Sequence, residues 1–189
     1  NPRKLYFATN TVWQTTNGGQ SWQEISPDLT RTDSIVPPNV GKYSGERPAT
    51  IRHPGVVYAL APSSVKENII WAGSDDGLVH VTFDGGKTWK DVTPPALRSR
   101  PWSKISIMDA SHFDTLTAYA AINTLRLDDM RPHLYRTRDG GKSWTEIVAG
   151  IDSGSTTNVI REDPKARGLL YAGSDRHVWV SFDDGDHWQ

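Results

Sequence analysis

The chain has 189 residues, of which 36% are hydrophobic and 23% charged, and its formal net charge is −1. A balance so near neutrality gives no electrostatic drive toward nucleic acid or an anionic membrane. No cysteine and no run of 18 apolar residues occurs, so this segment holds neither a disulfide nor a membrane-spanning helix.

Taken in chain order, Leu5 to Thr9 reads as a strand, followed by Val12-Trp13 and, after a turn, Trp22 to Ile25. A fuller version of the same series comes next: Val56 to Ala61, Ile69 to Gly73, Leu78 to Val81 and Trp89 to Val92. It recurs as Ile105 to Met108, Thr117 to Ala121, Leu134-Tyr135 and Trp144 to Val148, then as Asn158 to Ile160, Leu169 to Gly173 and Val178 to Val180. These are short β-branched and aromatic runs punctuated by Gly, Pro, Asn and Asp, and no window of helical period competes with them.

Between the last two strands of each unit stands one octapeptide, Ser/Thr-x-Asp-x-Gly-x-x-Trp, at 15–22, 82–89, 137–144 and 181–188. Its Asp or Asn oxygen accepts backbone N–H groups further along the turn, and its Gly supplies the left-handed φ that the reversal needs. The Trp then opens the next strand and covers the turn with a large apolar ring. Asn17, Trp22, Asp84, Trp89, Asp139, Trp144, Asp183 and Trp188 are therefore expected to be structural, stapling two strands of one unit together.

A repeated four-stranded meander is a propeller blade, so the expected fold is an all-β propeller of antiparallel blades. The predicted boundaries are a partial blade 1 over 1–30, blade 2 over 51–95, blade 3 over 102–149 and a partial blade 4 over 155–189. The third octapeptide positions, 17, 84, 139 and 183, are 67, 55 and 44 residues apart. The chain enters its first unit at the second strand and leaves its last at the start of the fourth, just under four blades in all. Propellers close with about 4 to 8 blades, so the expectation is a segment of a longer propeller or part of an assembly that completes the ring.

On its octapeptides the chain resembles the Asp-box (BNR-repeat) β-propellers, which include sialidases, xyloglucan-type glycoside hydrolases, sortilin-like (VPS10) receptors and a photosystem assembly factor. The phrases at 22–30 and 71–77 make it most similar to bacterial BNR-repeat proteins labelled sortilin-like or glycosyl hydrolase. Having no cysteine, it departs from the cysteine-bearing eukaryotic sortilins, which favours a bacterial relative. The resemblance implies an extracellular or periplasmic location and leaves activity open, because one fold hosts many functions.

Several motifs fail on inspection. Gly86-Lys87-Thr88 and Gly141-Lys142-Ser143 lack the earlier glycine of a phosphate loop, which would fall at Val81 and Arg136. Asp183-Asp184-Gly185-Asp186 lacks the alternating ligands and terminal Glu of a calcium loop. The histidines, His53, His80, His112, His133, His177 and His187, show no metal-ligand spacing, and no cofactor is implied.

Function is expected on the face opposite the octapeptides, where the long loops at 26–52, 93–102, 122–133 and 150–157 emerge with the short turns at 74–77 and 174–177. One reading is a binding or scaffold surface for a protein, peptide or glycan, using Arg52, His53, Arg100, Trp102, Arg126 and Arg131. On this reading Arg52, His53, Arg100 and Trp102 crowd the mouth of the central channel. Its partners include the remaining blades of a parent propeller or a second copy. The other reading is a glycosidase cleft with a carboxylate pair drawn from Asp28, Asp33, Glu46, Asp75, Asp76, Asp128, Asp129 and Asp175. Nothing in the sequence selects a pair or matches a sialidase arginine triad, and no catalytic residue is assigned.

Overall fold

The computed structural model describes residues 3–32 and 55–189. They form four antiparallel sheets: β1 (Leu5–Ala8), β2 (Val12–Thr15) and β3 (Gln23–Glu24); β4 (Val57–Pro62), β5 (Ile70–Ser74), β6 (Val79–Thr82) and β7 (Lys90–Asp91); β8 (Lys104–Ala110), β9 (Ala118–Asn123), β10 (Leu134–Thr137) and β11 (Thr145–Glu146); and β12 (Thr157–Glu162), β13 (Leu170–Ser174) and β14 (Val178–Ser181). Each is a meander with its strands in sequence order, and β8 packs beside both β4 and β12 as the innermost strands. The chain is a partial β-propeller, as its repeats predict. The fourth strands are only two residues long, shorter than the sequence suggests. A four-residue helix, α1 (Pro95–Arg98), opens on Pro95, whose missing N–H costs nothing in a first helical turn.

The octapeptide turns follow one hydrogen-bond scheme. Gly86 N–H donates to Thr82 Oγ1 at 2.9 Å, while Asp84 Oδ1 accepts from the Thr82 hydroxyl at 2.8 Å and from Thr88 N–H at 2.9 Å. The scheme recurs around Asn17, Asp139 and Asp183. These bonds pull the Asp84, Asp139 and Asp183 carboxyls down to about 2, the side chains of Thr88, Ser143 and His187 contributing most.

The Trp reaches further than expected. Trp89, Trp144 and Trp188 donate their indole N–H groups to Ile25, Val92 and Ile147 carbonyls of the preceding sheet, at 2.7, 2.7 and 2.8 Å. The last three octapeptides thus fasten blade to blade in addition to closing the turn between two strands of their own blade. The core lies in the same seams, with Trp71, Ile105 and Met108 between blades 2 and 3, and Tyr119, Ile160 and Trp188 between blades 3 and 4.

Candidate functional site

The octapeptide turns share one face with the first hairpin turns, since Gly85, Gly140 and Asp184 N–H groups donate to Asn68, Leu116 and Gly168 carbonyls. The long loops described in full, at 93–102, 122–133 and 150–157, occupy the other face, as expected. The innermost strands deform as they leave it: pairing slips between Val57 and Ala59, Ile105 and Ile107, and Thr157 and Val159. Such bulges bend a strand and re-aim side chains. Tyr58 lies at the first bulge and is 56% exposed, with Lys104 Nζ 4.0 Å from its ring centroid. Asn158 lies at the third and accepts from Asn123 Nδ2 at 2.6 Å.

On the same face, Asp76 ties three loops together. Its carboxylate accepts from the Ser74 hydroxyl at 2.5 Å and from Arg31 N–H at 2.7 Å, and its carbonyl accepts from Trp102 N–H and Arg31 Nε. Burial pushes the Asp76 carboxyl pKa up. The Arg31 guanidinium also donates to the Leu97 and Arg98 carbonyls at the end of α1. Trp102 is held at φ 70°, rare for a bulky residue, and is 7% exposed beneath Arg126, whose guanidinium lies 5.6 Å from the ring centroid. Arg126 reaches Asp75 Oδ2 at 3.4 Å, and Asp75 Oδ1 accepts from Val56 N–H.

The loop at 124–133 is braced with equal care. A single 3-10 turn, Leu125–Leu127, is followed by Asp128 at φ 56°. Asp129 then receives Arg131 Nε and Nη2 at 2.9 and 2.8 Å, Arg100 Nη2 at 2.8 Å and faces His133 Nε2 at 3.2 Å. Arg131 foremost, with Arg100 and His133, holds the Asp129 carboxyl far below the usual range. His133 Nδ1 lies 2.8 Å from Glu146 Oε1, and His133 N–H bonds Thr157 Oγ1 of the next blade. The loop is therefore held at several points, and it presents Leu125 and Met130, 52% and 49% exposed, beside Arg126 and Arg131.

The structure brings Arg100, Trp102, Arg126 and Arg131 onto this face, joined through Asp129 and Asp75. Trp102 is a buried support there rather than an open contact at a channel mouth. Arg52 and His53 lie outside the described residues, as do Asp33 and Glu46. Among the remaining acids, Asp28 is bound by Thr30 and Asn10, and Asp75, Asp76 and Asp129 are spent on loop architecture. Asp128 is exposed and Asp175 faces Arg176 at 3.5 Å. Among the described residues no cluster of three or more His, Asp or Glu side chains fits a metal ion, and no helix is long and apolar enough to cross a membrane. Sequence reasoning missed Tyr58, Lys104, Leu125, Met130 and Asn158. The only signal for Tyr58 is its alternation with the apolar neighbours Val57 and Ala59.

No family model and no curated protein matches the chain. Solved structures do. The whole chain superimposes on an ancestral GH74 enzyme with a TM-score of 0.69 at 18% identity, covering 23% of that protein. It superimposes on a Niastella koreensis GH74 enzyme with 0.61 at 16%, covering 27%, and on YCF48 bound to a D1 peptide with 0.58 at 18%, covering 49%. The chain thus spans 23% to 49% of the length of these structures, and likeness at such identity places it among the β-propellers by fold alone.

Proposed function

We propose that the chain is an Asp-box (BNR-repeat) propeller segment of a bacterial protein, exposed in the periplasm or outside the cell, that binds a protein or peptide segment on its long-loop face. One observation carries the reading: the braced loop at 124–133 displays Leu125 and Met130 next to Arg126 and Arg131. Met and Arg are enriched at protein interfaces, and a rigid platform loses little entropy on binding. Arg126 and Arg131 are paired with Asp75 and Asp129 but keep side chains 40% and 66% exposed, which favours a segment that carries acidic as well as apolar side chains. A peptide-bound YCF48 among propellers of like fold supports the same reading. The GH74 enzymes keep glycoside hydrolysis in view, but Asp28, Asp75, Asp76 and Asp129 are here tied into hydrogen bonds. The exposed apolar side chains of the end sheets, Leu5, Phe7 and Trp22 in the first and Tyr171, Val178 and Phe182 in the last, suit cover by further blades or a second copy.

Selection against a phage-displayed random peptide library tests the proposal. Peptides with acidic and apolar residues are expected to bind, and Leu125→Asp with Met130→Asp should weaken them at least about tenfold, while Lys87→Glu on the opposite face leaves them unchanged. Turnover of xyloglucan oligosaccharides that disappears in Asp75→Asn or Asp128→Asn would overturn the binding reading.

A further inference from the structure

The seam between blades 3 and 4 breaks the repeat at several places that meet at one point on the octapeptide face. Glu162 pairs with Leu170 where the equivalent positions, Pro62 and Ala110, pair with Ile70 and Ala118. Arg136 stands where β6 has Val81, Arg138 where the second octapeptide has Phe83, and Asp184 where the other three have Gly18, Gly85 and Gly140. Between blades 2 and 3 the equivalent space is filled, because the Phe83 ring lies edge-on to Trp71 and against Gly140. Between blades 3 and 4 it is a cavity of about 290 Å³.

The cavity holds an acceptor without a good donor. Glu162 is 3% exposed, and its Oε2 receives the Ser111 hydroxyl and His112 N–H, both at 2.7 Å. Among the described residues its Oε1 has only the Tyr119 hydroxyl, 3.4 Å away. That hydroxyl has one proton, which goes to Asp184 Oδ1 at 2.5 Å. Burial, with Asp184 second, pushes the Tyr119 pKa up, so the proton stays on the ring oxygen. A buried carboxylate oxygen left in this way calls for a further donor. The outer wall carries Arg138, bound to Asp184 Oδ2, and the exposed Arg167. Apart from Gly168 and Phe182 the whole lining is polar.

We propose that this cavity binds a neutral polyhydroxyl ligand of monosaccharide size, whose hydroxyls donate to Glu162 Oε1 and accept from Arg167. The volume sits at the lower end of ligand pockets, about 300 to 1,000 Å³. The carboxylates at the base disfavour an anion and the guanidiniums at the rim disfavour a cation, whereas a sugar hydroxyl both donates and accepts. The site lies on the opposite face from the peptide surface proposed above and stands independently of it.

Titration of ¹⁵N-labelled protein with the methyl glycosides of glucose, galactose, mannose, xylose and N-acetylglucosamine tests the assignment, with glycine amide and lysine as cationic competitors. At least one glycoside should shift the Ser111, Gly168 and Phe182 amides saturably, with a Kd of about 1 mM or tighter. Arg167→Ala, at an exposed position that leaves the fold intact, and Glu162→Gln should each weaken it about tenfold or more. The proposal is overturned if no glycoside shifts these amides, if Arg167→Ala binds like the parent, if shifts map to the long-loop face, or if only the amines bind.

Discussion

Gly141 lies so close to Val92 of the preceding blade that a Cβ built on the glycine would stand 2.6 Å from the valine Cβ. Its φ is +85°, and the same closeness recurs where Gly86 meets Ile25 and Gly185 meets Ile147. The second glycine of the octapeptide is therefore needed twice, for its backbone conformation and as the surface on which blades seat.

Gly18 separates these two demands. Its φ is +74°, yet nothing lies within 4 Å of a Cβ built there. Gly18→Ala should cost only the left-handed penalty, about 1 to 2 kcal/mol. Gly141→Ala should cost that and a packing term of about 1 to 3 kcal/mol more. Urea melts of both variants decide the matter, and equal losses would show that seating on Val92 is unimportant.

The indole bond from Trp144 to Val92 crosses the same seam. Trp144→Phe keeps an aromatic ring beside Trp71 but removes the N–H, leaving the carbonyl short of a partner at about 1 to 3 kcal/mol. Trp144→Ala should cost about 3 to 5 kcal/mol. If the Phe variant melts with the parent, solvent replaces the bond and the indole acts by packing alone.

The meander was legible because each octapeptide turn is local: its turn bonds join residues two or four positions apart, so composition and spacing reveal them. The extent of the fourth strands was not, since Gln23, Lys90 and Thr145 carry no apolar pattern and pair for two residues only. Loop residues such as Arg100 and Arg131 stood out by type, but their convergence on Asp129 depends on how two loops meet across a seam. The polar cavity was hidden for a further reason. Reading four copies as one motif treats Asp184 as a variant of a turn glycine, whereas its partner Tyr119 is 65 residues away.

Acid should loosen the turns in a defined window. The carboxyls of Asp84, Asp139 and Asp183 stand at about 2 in the folded chain against 3.8 ordinarily. A folded value below the unfolded one gives stability that is complete above about pH 4 and is lost as pH falls through about 2. Asp139→Asn, which copies the Asn17 version of the turn, should flatten the stability profile between those limits. Thermal melts at intervals across that range test this, and a variant with the parent's slope would place the acid sensitivity elsewhere.

Asp184 sets backbone strain against side-chain bonding. At φ +62° it occupies the position filled by glycine in the other three turns, and Asp184→Gly would relieve about 1 kcal/mol of left-handed strain. The same change removes the carboxylate that accepts from Tyr119 at 2.5 Å, from Arg138 at 2.5 Å and from Arg136 at 3.3 Å. Arg136 is the decisive partner, for its side chain is only 7% exposed and would keep the Asp184 carbonyl and Asp186 alone. Losing part of the pairing of a buried charge costs about 2 to 3 kcal/mol, so the loss outweighs the relief and the variant should be about 1 to 2 kcal/mol less stable. Asp184→Asn, which tolerates the same φ and keeps an acceptor for Tyr119, should fall between it and the parent. A glycine variant more stable than the parent would mean that the strain, rather than the polar cluster, dominates this seam.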